Sequence, residues 1–108
     1  MAVFITFSRL PAAAMAVYPF IFIKRKAYKN DLVLVNHEKI HHRQQLELLI
    51  IPFYVIYFLN YIYNLVRFQS HHQAYMNIIF EKEAYAQEKD LYYLNNRKTF
   101  ASFKRLKS

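Results

Sequence analysis

The chain has 108 residues, with 15 Lys and Arg against 7 Asp and Glu, for a net charge of +8. It holds no cysteine, so disulfides and thiolate metal sites are excluded and any metal must be held by His, Asp or Glu. The absence of glycine, with only three prolines, speaks against a loop-rich all-β fold. A hydrophobic content of 56% speaks against a disordered chain, and the length suits one domain over residues 1–108.

In chain order, Leu10 to Ile23 carries no charge but is short for a membrane span. Its only preceding base is Arg9, after the mostly apolar Ala2 to Phe7, which is not the order of a signal peptide. Phe20 to Ile23 and Leu32 to Val35 are apolar and partly β-branched, so they are predicted to be short strands. The polar segment Lys24 to Asp31 joins them into a hairpin. Asn36 then stands where a helix N-cap is expected. From His37 the pattern is helical, with Ile40, Leu46, Leu49 and Ile50 at spacings that suit one face.

Leu48 to Val66 holds no charged residue and approaches the ~20 apolar residues of a membrane span. Pro52, Asn60, Asn64 and several tyrosines oppose that reading. The alternatives are a long core helix, or two helices bent at Pro52, with membrane contact through residues 48–66. Phe53 to Phe68 reads as a second helix or a continuation of the first. The Tyr and Phe run from Phe53 to Tyr63 reads as core or lipid contact. Gln69 to Gln73 is polar and predicted as a loop. Ile78 to Leu94 is rich in helix formers and predicted as a helix, and Thr99 is placed to cap a last short helix, Phe100 to Leu106. The fold class expected is mainly α (α+β), with a small N-terminal β-hairpin. The basic residues are spread along the chain. The blocks Lys24-Arg25-Lys26 and Lys104, Arg105, Lys107 read as solvated surface, so a nucleic-acid partner is not expected.

The run His37-Glu38-Lys39-Ile40-His41 fits H-E-x-x-H on a predicted helix. Positions i and i+4 lie on one helix face, so both imidazoles can reach one ion. Zn²⁺ suits neutral imidazole, and catalytic zinc sites use three protein ligands and one water. Glu38, beside the first histidine, can take that water's proton and return it to a leaving amine. No third histidine follows at short spacing, so a downstream carboxylate is the expected third ligand. Glu81 and Glu83 are the candidates. Two residues apart on a helix means ~200° around its axis, so only one can face the ion. His42, His71 and His72 read as exposed or hydrogen-bonded rather than ligating. Gln45, one turn beyond His41, either supports the site or faces water.

His37-Glu38-Lys39-Ile40-His41 with Gln44-Gln45, followed by Phe80-Glu81-Lys82-Glu83-Ala84, resembles the small glutamate-type zincins called minigluzincins. The resemblance covers about Asp31 to Leu94. It implies zinc ligation by His37 and His41, with Glu38 as general base. In that family the ligand glutamate precedes, by four residues, an aspartate that orients a ligand histidine. Matching the spacing selects Glu81 and puts Tyr85 where the aspartate would be, a departure that removes a charge from the ligand's support.

The resemblance implies a zinc metallopeptidase that hydrolyses peptide bonds with a metal-activated water. Its partner is then a peptide or protein substrate, held in extended form against the strand near Phe20 to Ile23. The other expectation is non-enzymatic: a small membrane-associated or complex-forming subunit with a structural or lapsed metal site. A cytoplasmic or membrane-associated location suits both. The two themes constrain each other. A straight span through Leu48 to Val66 would put its ends ~30 Å apart, with the histidines and Glu81 on opposite sides of the bilayer. A His₂Glu site therefore requires this segment to bend back or to pack as core.

Overall fold

The computed structural model describes residues 2–107, with side chains described as far as Lys104. The fold is mainly helical with a small three-stranded sheet at its N-terminal end. The strands are β1 (Val3–Thr6), β2 (Ala14–Val17) and β3 (Phe20–Ile23), in the spatial order β1-β3-β2. β3 runs parallel to β1 and antiparallel to β2, with Phe22 opposite both Ile5 and Met15. The hairpin is therefore β2–β3, closed by Tyr18 and Pro19, whose peptide bond is cis. The uncharged stretch from Leu10 to Ile23 supplies both of its strands.

Leu32 to Val35, predicted as the second strand, instead forms the first turn of α1 (Leu32–Leu48). The alternation of Leu and Val is overridden by a cap: the Asp31 side chain accepts a hydrogen bond from the Leu34 N–H at 3.1 Å. Asn36 is thus inside the helix and not its N-cap. Its Nδ2 donates to the carbonyls of Glu88 (2.8 Å) and Asp90 (3.0 Å), tying α1 to the end of a later helix. The segment before it, Lys26–Asn30, is a 3₁₀ turn.

α1 ends at Leu48 and α2 (Ile50–Phe68) departs at 110° to it. The break is at Leu49, which adopts a positive φ of 65°, and not at Pro52. Pro52 lies in the first turn of α2, where a missing N–H costs no intrahelical bond. No single helix among the described residues is long and apolar enough to cross a membrane. The chain turns back as a convergent metal site requires.

α3 (His71–Met76) occupies most of the predicted loop Gln69 to Gln73, begun by Ser70, whose hydroxyl accepts from the Gln73 N–H. α4 (Ile79–Gln87) is shorter than the predicted helix Ile78 to Leu94. Residues after it turn, and α5 (Tyr93–Asn96) follows. Residues Ala101–Lys107 form a 3₁₀ helix where a last short helix, Phe100 to Leu106, was expected. Lys104 is exposed, as expected of that basic block. The side chains of Arg105 and Lys107 lie outside the described residues.

Phe53 from α2 packs on Phe80 from α4 with ring centroids 4.5 Å apart, joined by Ile78 and Ile79. This cluster fixes α4 against the inner face of α2. The sheet closes the other side of α1: Gln45 Nε2 donates to Ala16 O at 2.8 Å, and His42 Nε2 to Phe20 O at 2.8 Å. Gln45 therefore does not face water. It also accepts from the Tyr18 N–H and so holds β2 and its turn in place.

Candidate metal centre

The buried face of α1 is mostly polar. Asn36, His37, Glu38, His41, His42, Gln44 and Gln45 are all buried there. Such burial is tolerated only if each group is hydrogen-bonded. Among the described residues, no fully buried side-chain nitrogen or oxygen lacks a partner.

Helical spacing stacks His37 and His41 one turn apart, with ring centroids 4.8 Å apart. α4, lying across α1, delivers Glu81 between them. Its Oε1 is 3.1 Å from Nε2 of both histidines. One ligand atom from each of the three residues lies within 4.8 Å of the others. Tetrahedral ligands held at ~2.0–2.1 Å from zinc are separated by roughly 3.3 Å, so little movement would let the three share an ion.

The second nitrogen of each ring is occupied. His37 Nδ1 donates to Glu88 Oε1 at 2.8 Å, and His41 Nδ1 to Gln44 Oε1 at 2.8 Å. The Gln44 amide is oriented by its own donations to Phe80 O and Glu83 Oε1, both at 3.1 Å. With Nδ1 used as donor, each ring turns Nε2 toward Glu81, where it donates to the carboxylate and where, once deprotonated, it could bind an ion. Tyr57 donates to the other Glu81 oxygen, Oε2, at 2.7 Å, leaving Oε1 for the centre. The donor set and its supports fit one divalent transition ion, zinc among them.

The electrostatics follow from this packing. Burial disfavours the imidazolium of His41, yet Glu81 beside it outweighs burial and pushes His41 up to about 9. Burial likewise disfavours the Glu81 carboxylate. His41, with the hydrogen bonds from both histidines and Tyr57, overcomes it and holds the carboxyl far below its ordinary range. Glu38 differs. Burial raises its carboxyl against the pull of His41 and His37, and it makes no side-chain hydrogen bond among the described residues.

Glu38 lines two clefts, of about 270 Å³ and 310 Å³, that meet near Ala12, Ala14 and Tyr75. The first also reaches His37, His41, Glu81 and the apolar Met15, Phe53 and Tyr54. β2 borders this cleft, and β3 cannot offer it an edge because both of its sides are paired. The expectation that Phe20 to Ile23 holds an extended ligand is thus corrected: the edge strand is Ala14–Val17. Lys24 N bonds Ala13 O on the β3 side, so by alternation Ala14 and Ala16 turn their backbone groups the other way. Ala16 O indeed accepts from Gln45 and Tyr54 there.

Glu83 points away from the histidines. Arg97 Nε and Nη2, Ser102, Tyr93 and Gln44 all donate to it. Arg97 also reaches Glu47. The two candidate glutamates thus have separate environments, as their spacing on a helix demands. Tyr85 does not take over the aspartate's role by hydrogen bonding. Its ring packs edge-on against His37 at 4.4 Å and its hydroxyl faces Tyr75 at 3.3 Å. The carboxylate that orients His37 is Glu88, which sequence reasoning missed. Its signal was there: seven residues from Glu81 is two turns, on the same face. Tyr57 had no comparable signal. His71 accepts from or donates to Tyr61 at the surface, and burial pushes His42 below its ordinary value while it bonds Phe20.

No family model, curated protein or solved structure matches this chain.

Proposed function

We propose that this protein is a zinc-dependent peptidase, with His37, His41 and Glu81 as metal ligands and Glu38 as general base. The observation that carries the reading is the convergence of two Nε2 atoms and one carboxylate oxygen within 4.8 Å, at a cleft that also holds Glu38, whose carboxyl makes no hydrogen bond among the described residues. Three protein ligands beside an open cleft suit a catalytic site better than a closed structural one.

His37, His41 and Glu81 would hold the zinc ion, which would supply Lewis acidity and a water of lowered pKa. The chain's own residues do the rest. The outward-facing backbone of Ala14 pairs with an extended peptide and sets its register across the cleft. Phe53, Tyr54 and Met15 receive an apolar side chain and exclude water. Glu38 accepts a proton from the attacking water and passes it to the departing amine. Tyr57 and Gln44 hold Glu81 and His41 still while this happens.

The test is Glu38→Gln, assayed on a quenched fluorescent peptide pool. Hydrolysis is expected to fall by about 10²–10⁴-fold, with zinc content and thermal midpoint unchanged. Undiminished hydrolysis by this variant would remove Glu38 from the chemistry.

A further inference from the structure

α2 exposes an apolar stripe. Ile51, Val55, Phe58, Leu59, Ile62 and Val66 are between 39% and 77% exposed. At 100° per residue they fall within about 100° of arc, one continuous face four turns long. Tyr63, also exposed, borders it. Side chains of this size and number leave several hundred Å² of apolar surface uncovered, at or above the ~300–600 Å² of the largest patch on an ordinary monomer.

The opposite face of α2 is committed. Phe53 and Asn64 are buried, Asn64 Nδ2 donates to Ala74 O at 3.1 Å, and Asn60 Oδ1 accepts from Ile79 N at 2.8 Å. A helix held this way cannot be surrounded by lipid, but it can lie in the plane of an interface.

Charge selects the occupant. Of the acids, Glu38, Glu81 and Glu83 are buried, while Glu47 and Glu88 are partly buried and bonded to Arg97 and His37. Only Asp31 and Asp90 are exposed. The bases Lys24, Arg25, Lys26, Lys39, Arg43 and Arg67 remain on the surface, and residues 1–30 and 48–80 contain no acid. The exposed surface thus carries many bases and few acids to offset them. Two copies brought together at α2 would repel. A negatively charged surface would be attracted, and the apolar stripe calls for hydrocarbon where a nucleic acid offers phosphate.

We propose that the outer face of α2 docks on an anionic phospholipid bilayer, lying in the interface with the stripe buried at the headgroup boundary. The surface bases draw the protein to the lipid, and α2 anchors it without crossing. This stands independently of the peptidase reading, since it uses no residue of the metal centre.

The experiment is co-sedimentation of the full chain with vesicles of phosphatidylcholine alone, and of phosphatidylcholine with one-quarter phosphatidylglycerol. Wild type is expected to pellet with the mixed vesicles at least tenfold more strongly than with the neutral ones, and to be released by salt. Phe58→Asp combined with Ile62→Asp, with an unchanged circular dichroism spectrum, is expected to weaken that binding at least tenfold. Failure to bind mixed vesicles, equal binding to both compositions, or undiminished binding by the variant would each overturn the proposal. So would a lipid-free dimer of the wild type that the same variant dissociates, because the stripe would then belong to a second copy.

Discussion

α1 and α2 are neighbours in sequence and reverse the usual distribution of polarity in opposite ways. α1 buries a face of Asn, His, Glu and Gln, whereas α2 leaves Ile, Val, Phe and Leu in contact with solvent. Neither arrangement helps a small protein fold. The first removes charges from water, and the second forgoes burial worth ~25 cal/mol per Å². The buried face is tolerable because its polar members other than Glu38 are hydrogen-bonded, several of them to residues that hold them in place, while Glu38 lines the clefts. The exposed face has no such compensation among the described residues. A misplaced polarity with internal partners points to chemistry, and one without them points to a surface outside the molecule.

The sharpest way to break the buried half of this contrast is to remove one member of its ionic support. Glu83 is fully buried and depends on Arg97, which itself bridges to Glu47. Arg97→Ala is expected to destabilise the fold by about 3–5 kcal/mol, because a buried carboxylate loses its counter-charge. Chemical denaturation would measure it, and a loss under 1 kcal/mol would show that the cluster is peripheral. The pH dependence sharpens the result. Burial opposes ionisation of Glu83, but Arg97, Ser102 and Tyr93 hold its carboxyl at about 2, below the ordinary 4.5. A depressed folded value means that the stabilisation is complete above pH 4.5 and is lost as pH falls toward 2. Without Arg97, burial would push Glu83 upward, and this part of the acid dependence should reverse sign. An identical acid profile in wild type and variant would contradict the assignment.

Glu88 tests the metal centre at one remove. It accepts from His37 Nδ1 at 2.8 Å and touches neither Glu81 nor Glu38 by hydrogen bond. Glu88→Gln keeps an acceptor and removes the charge. Zinc affinity is expected to drop by about 10–100-fold, with a change in stability near zero for the metal-free chain. Competition with a fluorescent chelator would read this out, and unchanged affinity would leave His37 oriented by packing on Tyr85 alone.

The smallest effect is expected at the junction of the two helices. Leu49 is exposed and holds φ at 65° with ψ at 153°, a region that glycine occupies without strain. Leu49→Gly is expected to stabilise the fold by about 1 kcal/mol, through relief of that strain. A destabilised variant would mean that the side chain holds the 110° turn.

The parts legible in the sequence are those with a local signature. His37 and His41 could be placed on one face because i and i+4 stack on any helix. Glu81 and Glu83 could be separated because adjacent-but-one residues diverge on any helix. The parts that were not legible depend on distant partners. Leu32 to Val35 has the alternation of a strand, and only the Asp31 cap with the packing of Val35 makes it helical. Ala14 to Val17 has little strand propensity and pairs because β3 lies between two neighbours. The turn between α1 and α2 was sought at Pro52, the visible helix breaker, yet a proline three residues into a helix fits it. The residue that does bend the chain is a leucine. The two-turn spacing puts Glu88 on the face of Glu81, but its reach to His37 needed the register of α4 against α1, which Asn36 fixes through carbonyls at Glu88 and Asp90.

The central claim is that the polar face of α1 and Glu81 exist to hold an ion. Elemental analysis of purified protein, beside His37→Ala and a Glu83→Gln control, tests it most directly. The account predicts about one zinc per chain in wild type, none in His37→Ala, and zinc retained in Glu83→Gln. A wild-type protein that stays metal-free after zinc is supplied, while folded, would contradict it.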